Sequence, residues 1–240
     1  MIDAIVDTLK SVRRKILNVQ LQNTAASSYS QCGEDLIIKF VFDAIGIHNP
    51  TYLDIGAYHP CHLSNTYLFY KNGSSGVCVE PDPDLYLRYK ERRTRDTCLN
   101  VGIGISNETQ ADFYVLKTKT LSTFSRAEAE RCDAIGQKIE KVIAIPLVKI
   151  DEIVARYFPH SPPNFVSLDI EGMDFEVIKT FDFSKSRPEI FCIETITFSE
   201  NNTEEKLSPI IDYMKANDYL AYADTYVNTI FVDRRKWCNR

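Results

Sequence analysis

Acidic residues and glycines stand at two points of the sequence where buried strands would end. The mostly apolar segment 51–55 contains one acid, Asp54, and is followed by Gly56. The mostly apolar segment 165–168 is followed by Asp169 and Glu171. Strands of a buried parallel sheet have continuous apolar sequences, and the side chains at their C-terminal ends face one cleft. Carboxylates in such a cleft can bind ribose hydroxyls or accept a proton during a reaction. The two segments therefore predict a nucleotide-type site.

The turn at position 56 and the acid at position 80 suit a ligand that contains ribose. Gly56 can adopt a positive φ, so a ligand can approach the backbone N–H groups of this turn closely. Glu80 follows the next apolar stretch, one strand–helix unit later, where a carboxylate can accept hydrogen bonds from a ribose diol. The residues after Gly56 lack the Gly-x-Gly-x-x-Gly pattern of a diphosphate-binding turn, which disfavours NAD and FAD. The acid indicates ribose without deciding which cofactor carries it.

Several motifs occur in an order that is typical of one enzyme family. They are Tyr29-Ser30-Gln31 with Gly33-Glu34-Asp35, Tyr52-Leu53-Asp54-Ile55-Gly56-Ala57, Ser64-Asn65-Thr66, Val79-Glu80-Pro81 and Ser167-Leu168-Asp169-Ile170-Glu171-Gly172. Together they resemble the FkbM family of S-adenosylmethionine-dependent methyltransferases over residues 29–232. The resemblance implies a Rossmann-like class I methyltransferase fold and methyl transfer to a hydroxyl of a saccharide or of a small hydroxylated metabolite.

The resemblance also assigns residues to the cofactor S-adenosylmethionine. Glu80 matches the family's ribose-binding acid, and residues 100–102 match the segment near the adenine. Residues 58–60 replace the family's commoner Asn-x-Gly, and residues 64–66 are expected to compensate by closing over the methionine half of the cofactor. Tyr58 is expected to line the pocket, because aromatic faces attract cations. The expected cofactor set is Asp54, Gly56, Ala57, Tyr58, Ser64, Asn65, Thr66, Glu80, Pro81, Asn100, Val101, Gly102 and Asp169.

Four residues are candidates for removing the proton from an acceptor hydroxyl. Asp169 is the first choice and Glu171 stands beside it, although Glu171 could equally be the acid at a helix N-terminus. Glu194 ends the next strand and is expected to face the same cleft. His59 is a possible base in the cofactor loop or a hydrogen-bonding residue of that loop. Asp169 and Glu194 could alternatively share a divalent metal ion through oxygen ligands.

The apolar pattern predicts the elements that position these residues. Strands are expected at residues 51–55, 77–80, 97–101, 165–169, 189–194, 219–223 and 228–232, with helices between most of them. They form a mostly parallel seven-stranded sheet with helices on both faces, and the resemblance implies the strand order 3-2-1-4-5-7-6. An inserted β-hairpin is expected at residues 111–116 and 142–148, and the polar residues 117–141 between its strands are a candidate lid.

Composition limits the possible partners and locations. The net charge of −5 disfavours a nucleic-acid surface, which usually needs a basic excess. No stretch is long and apolar enough for a transmembrane span, and the N-terminus lacks the apolar core of a signal peptide, so a cytoplasmic location is expected. The seven cysteines include no Cys-x-x-Cys pair and are interpreted as mostly reduced core thiols.

The N-terminal segment forms a separate unit in this interpretation. Residues 2–21 show the apolar spacing of an amphipathic helix with a basic cluster, so residues 1–28 are assigned to a helix and linker and residues 29–240 to the methyltransferase domain. The helix packs on the domain or on a second subunit, giving a homo-oligomer, or it rests on a membrane surface. A non-catalytic binding module and a nicotinamide-dependent oxidoreductase are the alternative functions, although the sequence has no evident Tyr-x-x-x-Lys pair for the latter.

Overall fold

The computed structural model describes residues 26–170, 172–197 and 204–240. Their strands are β1 (Tyr52–Ile55), β2 (Gly76–Val79), β3 (Thr97–Leu99), β4 (Gly102–Ile103), β5 (Gln110–Leu116), β6 (Ile139–Val148), β7 (Phe165–Leu168), β8 (Ile190–Glu194), β9 (Tyr219–Asp224) and β10 (Asn228–Asp233). Their α-helices are α1 (Glu34–Ala44), α2 (Tyr67–Lys71), α3 (Pro83–Arg92), α4 (Arg126–Ala134), α5 (Ile150–Tyr157), α6 (Asp174–Lys179), α7 (Ser208–Ala216) and α8 (Arg234–Cys238). A 3₁₀ turn covers Lys119–Leu121.

Seven strands form the main sheet in the order β3-β2-β1-β7-β8-β10-β9. Strands β3, β2, β1, β7 and β8 are parallel, and β10 pairs antiparallel with both β8 and β9. Counted along the chain within this sheet, the order is 3-2-1-4-5-7-6. The sequence-based prediction of a class I methyltransferase fold is therefore confirmed. β1 is buried along its whole length, as expected for a central strand that helices cover on both faces.

The two faces of the main sheet carry separate apolar cores, because successive side chains of a strand point to opposite faces. Leu53 and Ile55 of β1 belong to the core that contains residues of α5, α6 and α7. Tyr52 belongs to the core that contains residues of α1, α2 and α3. Asp54 is two positions from Tyr52 and lies on that second face. This alternation decides which strand residues can reach a ligand.

A second, three-stranded sheet has the order β4-β6-β5. The expected hairpin is present as the antiparallel pair β5 and β6, and β4 adds a parallel strand to β6. The candidate lid between β5 and β6 contains the 3₁₀ turn and helix α4. We call this second sheet, together with residues 117–138, the inserted subdomain.

Two of the element boundaries that differ from the sequence-based prediction have a clear structural reason. Strand β3 ends at Leu99 because Asn100 turns away: its side-chain amide donates to the carbonyl oxygens of Glu80 and Pro81 at 2.9 and 2.8 Å. Helix α7 begins at Ser208 instead of residue 204, because Lys206 forms an antiparallel bridge with Ile196.

The predicted N-terminal helix at residues 2–21 lies outside the described residues. Within the described part of the chain, no helix combines the length and the apolar character that a membrane span requires. The seven cysteines, which all lie in the described ranges, form no disulfide bonds. Cys78, Cys132 and Cys192 are buried, as expected of core thiols, whereas Cys32 and Cys238 are exposed.

Candidate functional site

A cavity of about 480 Å³ lies at the C-terminal ends of the parallel strands β1, β2, β7 and β8. Its walls include eight of the residues that the sequence indicated for the site: Gly56, Tyr58, Glu80, Pro81, Val101, Gly102, Asp169 and Glu194. The sheet edge therefore brings these residues together, as the alternation of strands and helices predicts.

Gly56 and Asp169 touch through their backbones at the centre of this site. Gly56 has φ +78, and a Cβ atom placed on it would lie 1.7 Å from the carbonyl oxygen of Asp169. The backbone N–H groups of Gly56 and Ala57 both donate to the carbonyl oxygen of Val79 at 3.1 Å. A residue other than glycine would therefore push the first turn away from β7.

The Glu80 carboxylate organises the two loops that border the cavity. Its Oε2 accepts from the backbone N–H of Tyr58 and its Oε1 accepts from that of Asp82, each at 2.7 Å. Burial raises the pKa of Glu80 to about 8, despite these two donors. Tyr58 is held at φ +52, an uncommon backbone conformation for a side-chain-bearing residue. Each carboxylate oxygen keeps a second lone pair that a ligand hydroxyl could use.

Asp82 is a wall residue that sequence reasoning did not single out. Its Oδ1 caps helix α3 by accepting from the N–H of Asp84 at 2.9 Å, and Pro83 begins the helix. Its Oδ2 is buried and accepts no hydrogen bond from any residue in the described part of the chain. Lys119 Nζ lies 3.7 Å from this oxygen. The only signal in the sequence was the helix-start pattern around Pro83, which indicates a cap and no ligand contact.

Asp169 follows β7 and is a half-buried residue of the cavity wall. Burial raises the pKa of this carboxyl to about 7, and the nearby carboxylates of Asp174, Asp54 and Glu34 add to the increase. Asp174 begins α6 and accepts from the N–H of Ile170 at 3.1 Å, while burial raises its own pKa to about 6. None of the residues in the described ranges donates a hydrogen bond to the Asp169 carboxylate, so no such bond stabilises its ionised form. It is thus able to take up a proton near neutral pH.

The far end of the cavity is built by the last residue of β8, by residues that follow it and by the turn before β10. Leu168 of β7 pairs with Ile193 of β8. The next residues, Asp169 and Glu194, therefore lie side by side at the ends of these strands, and both line the cavity. Thr197, Glu204 and Tyr226 complete this end. Tyr226 is 60% exposed and has φ +75. We call this part, beyond Asp169, the acceptor end.

Asp54 and residues 64–66 do not line the cavity. Thr66 Oγ1 donates to Asp54 Oδ2 at 2.5 Å, and Asn65 Nδ2 donates to Ser167 Oγ at 3.1 Å. Ser64 and Thr66 are buried. The alternation of β1 places the Asp54 side chain on the sheet face opposite to that of Ile55, which does line the cavity.

Arg93 is the charged centre of this supporting cluster. Its guanidinium donates to Thr66 Oγ1 at 3.1 Å, to the Tyr52 hydroxyl at 2.9 Å and to Asp96 at 2.7 Å, and its side chain is fully buried. Sequence reasoning missed Arg93, because nothing local distinguishes a buried arginine at the end of a helix from a solvated one.

His59, Ala57 and Asn100 also lie outside the cavity wall. His59 Nδ1 accepts from the N–H groups of Cys61 and His62 at 3.2 and 3.0 Å, so it shapes its own loop. Burial lowers the pKa of His59, with His62, Arg88 and Arg92 adding to the decrease. These contacts favour the loop role over the role of a base. Ala57 is buried, and its carbonyl oxygen accepts from the Tyr89 hydroxyl at 2.8 Å.

The segment before α1 connects the site to the β9–β10 turn. Gln31 lines the cavity. Glu34 is buried, and its carboxylate accepts from Cys32 N, Thr225 Oγ1 and Asn228 Nδ2 at 2.8, 2.7 and 3.1 Å. Asp35 accepts from Tyr29 N at 2.7 Å and so fixes the turn before the helix. The two acids therefore hold structure, and Gln31 is the member of this motif at the cavity.

The inserted subdomain supplies one wall of the cavity. Residues 119–124 and Phe113 line it, next to Val101 and Gly102. Gly102 leaves room for the Phe124 ring, which would lie 2.4 Å from an added Cβ atom. The candidate lid thus contributes part of the cavity wall, with both polar residues and the apolar Leu121 and Phe124.

The metal alternative involves the two carboxylates of Asp169 and Glu194. Among the described residues, no group of three or more His, Cys, Asp or Glu side chains is arranged to hold a metal ion. Glu171, the second candidate base, lies outside the described residues.

The chain matches one family model and is similar to several solved methyltransferase structures. A sequence model described as "Methyltransferase FkbM domain" matches residues 54–221. No curated protein matches the chain. The chain is 16% identical to the FkbM methyltransferase of Methylobacillus flagellatus KT, with a TM-score of 0.44, and the match covers 77% of this chain and 44% of that protein.

Two further solved structures are similar at lower identity. A TehB-like SAM-dependent methyltransferase from Corynebacterium glutamicum is 9% identical with a TM-score of 0.41, covering 93% of this chain and 99% of that chain. An O-methyltransferase from Bacillus cereus, solved in complex with SAH, is 13% identical with a TM-score of 0.38, covering 92% and 90%. The family match extends over more than half of the sequence. The chain therefore belongs to the FkbM family of S-adenosylmethionine-dependent methyltransferases.

Proposed function

We propose that the protein transfers a methyl group from S-adenosylmethionine to a hydroxyl oxygen of a saccharide or of a small hydroxylated metabolite, with Asp169 as the general base. The position of Asp169 carries this function. Asp169 lines the cavity, its backbone adjoins the turn at Gly56, and burial raises the pKa of its carboxyl to about 7. A base with a pKa near the working pH is the most effective at accepting a proton in a transition state.

The cavity residues fit the adenosyl cofactor. Glu80 would hold the ribose hydroxyls through its remaining lone pairs, and Val101 and Gly102 would border the adenine ring. The turn at Gly56 brings backbone close to the ligand, and Tyr58 offers an aromatic face to a positive charge. S-adenosylmethionine, when bound, supplies a methyl group that is already strongly electrophilic. The chain's remaining tasks are to align the acceptor oxygen, which can contribute about 7–11 kcal/mol, and to remove its proton.

The acceptor end has the groups that bind a hydroxylated molecule. The carboxylates of Glu194 and Glu204 are hydrogen-bond acceptors for hydroxyl groups. Tyr226 presents an exposed ring, which can cover the apolar face of a sugar. Asp169 lies between this end and the turn at Gly56. The order cofactor turn, base and acceptor end along one cavity supports transfer to an oxygen atom.

A methyl-transfer assay tests this function. S-adenosylmethionine labelled in its methyl group is incubated with the protein and a panel of saccharides and small alcohols, and labelled product is measured. Asp169→Asn should lower kcat by about 10²- to 10⁴-fold, with S-adenosylhomocysteine binding retained. Glu176→Gln, which changes an exposed acid on α6, is the matched control and should keep full activity. Unchanged turnover of Asp169→Asn would remove Asp169 from the role of base.

A further inference from the structure

A buried carboxylate oxygen of Asp82, two residues after Glu80, receives no hydrogen bond from the described part of the chain. Asp82 is 1% exposed, and its Oδ1 is used to cap helix α3. Its Oδ2 receives no hydrogen bond from the described residues, although it belongs to a residue of the cavity wall. Leaving a buried charged acceptor without a donor destabilises a folded protein. A donor from a bound molecule would remove this cost.

Lys119 stands opposite this oxygen, at the edge of the inserted subdomain. Its Nζ lies 3.7 Å from Asp82 Oδ2, which is within ion-pair range but too far for a hydrogen bond. The same Nζ donates to Glu140 Oε2 at 3.1 Å, so Glu140 holds the ammonium group near the cavity. Lys119 is also part of the cavity wall. A hydrogen-bond donor and an acceptor therefore lie next to each other without bonding directly.

Glu80 differs from Asp82 in how its oxygens are used. Both oxygens of Glu80 already accept short hydrogen bonds from backbone N–H groups. In Asp82 one oxygen is occupied and the other retains its full capacity. Asp82 therefore offers an oxygen that accepts no hydrogen bond from the described residues, whereas Glu80 offers only the second lone pair of each oxygen.

We propose that Asp82 and Lys119 bind the adenosine portion of the cofactor together, with Asp82 Oδ2 accepting a hydrogen bond from it and Lys119 Nζ donating one to it. The edge of adenine offers an amino donor beside a ring-nitrogen acceptor, and a ribose hydroxyl can also donate and accept. The inserted subdomain then contributes a direct cofactor contact, in addition to its apolar wall. This assignment rests on the adenosyl site proposed above.

The chain provides a matched control for Lys119. Lys141 of β6 forms an ion pair with Asp84 of α3 at 3.2 Å, so it also connects the inserted subdomain to the helix that Asp82 caps. Lys141 and Asp84 are both exposed, and neither lines the cavity. Lys141→Met removes a link between the same two elements without touching the cavity. Lys119→Met removes the link together with the donor.

The experiment is calorimetric titration of the full chain with S-adenosylhomocysteine. Lys119→Met and Asp82→Asn should each weaken binding by about tenfold to 100-fold, because a hydrogen bond that involves a charged group is lost. Asn at position 82 keeps an oxygen for the helix cap. Lys141→Met should stay within about threefold of the wild type, because exposed ion pairs contribute little.

Analogues of the ligand identify which part of adenosine is contacted. S-inosylhomocysteine carries a carbonyl oxygen in place of the adenine amino group, and the 2′-deoxy and 3′-deoxy analogues each lack one ribose hydroxyl. The analogue without the contacted group should bind the wild type more weakly, and this penalty should disappear in Lys119→Met or Asp82→Asn.

Three results would overturn the assignment. Equal affinities for the wild type and Lys119→Met, or equal losses in Lys119→Met and Lys141→Met, would show that the ammonium group makes no ligand contact. Analogue penalties that persist unchanged in both cavity variants would contradict it in the same way. A wild-type protein that does not bind S-adenosylhomocysteine would overturn the adenosyl site itself, and this contact with it.

Discussion

The Cα atom of Gly56 faces the carbonyl oxygen of Asp169 so closely that a methyl group on Gly56 would lie 1.7 Å from that oxygen. This contact joins the turn after β1 to the end of β7. It places the turn that is proposed to bind the cofactor beside the residue that is proposed to remove the acceptor proton. The cofactor turn and the base are therefore separated by only about one strand spacing.

Gly56→Ala tests this contact. The substitution forces a side chain into the left-handed region and into the Asp169 backbone, so we expect a large loss of S-adenosylhomocysteine affinity and a lower melting temperature. Gly73→Ala is the matched control, because Gly73 has φ +104 but nothing within 4 Å of an added Cβ atom. Calorimetry and thermal melting on both variants separate the cost of the positive φ from the cost of the clash with Asp169. Identical behaviour of the two variants would mean that the close approach is unimportant.

The pH dependence of the reaction tests the protonation state of Asp169. Its pKa is raised to about 7, and only the ionised form can accept a proton. We expect kcat/KM of the wild type to fall about tenfold for each pH unit below this pKa and to level off above it. The residual activity of Asp169→Asn should lack this limb. A wild-type profile that is flat between about pH 5.5 and 8 would contradict a base at Asp169.

The stability of the ligand-free protein should fall as the pH rises. The pKa values of Glu80 and Asp169 are raised to about 8 and about 7, so the folded state holds these protons more tightly than the unfolded state. Above the ordinary pKa values the unfolded chain ionises first, and stability is lost until the pH passes the folded values. Each group contributes a slope of at most about 1.4 kcal/mol per pH unit.

Asp169→Asn isolates one of these contributions. The variant should be more stable than the wild type at pH 8 and should show little difference at pH 4, as measured by urea unfolding. The exposed Asp43→Asn should follow the wild type at both pH values. A wild-type protein that becomes more stable between pH 5 and 8 would have the opposite sign to this expectation.

Arg93 should be essential for stability, although it lies outside the cavity. Arg93→Met leaves the buried Asp96 carboxylate without its cationic partner, and breaking a buried ion pair costs about 3–5 kcal/mol. Arg126→Met breaks an exposed ion pair with Glu130 and should leave the urea midpoint almost unchanged. If both variants unfolded at the same urea concentration, the buried cluster would not support the fold as described.

The main sheet and the site residues at the ends of its strands could be predicted from the sequence. Glu80, Asp169 and Glu194 each come at or directly after the end of an apolar strand, and parallel strands bring such positions to one edge. Asp54 was harder to interpret, because it lies within a strand and the two-residue period turns it away from the cavity. Its neighbour Ile55 faces the cavity instead.

Contacts between distant segments could not be read from the sequence. Lys119 reaches Asp82 only because β5 and β6 fold back over the sheet edge. Glu34 accepts a hydrogen bond from Asn228, which lies 194 positions later, directly after the turn between β9 and β10. No local pattern marks these residues, since their roles depend on which elements the topology makes neighbours.

A crystal structure of the complex with S-adenosylhomocysteine would test the central claim most directly. We expect the adenosine between Glu80 and Val101, and the sulfur atom beside Gly56 on the side that faces Asp169. The acceptor end near Glu194 and Tyr226 should stay accessible. A ligand bound elsewhere on the molecule, or one whose sulfur atom points away from Asp169, would contradict the account.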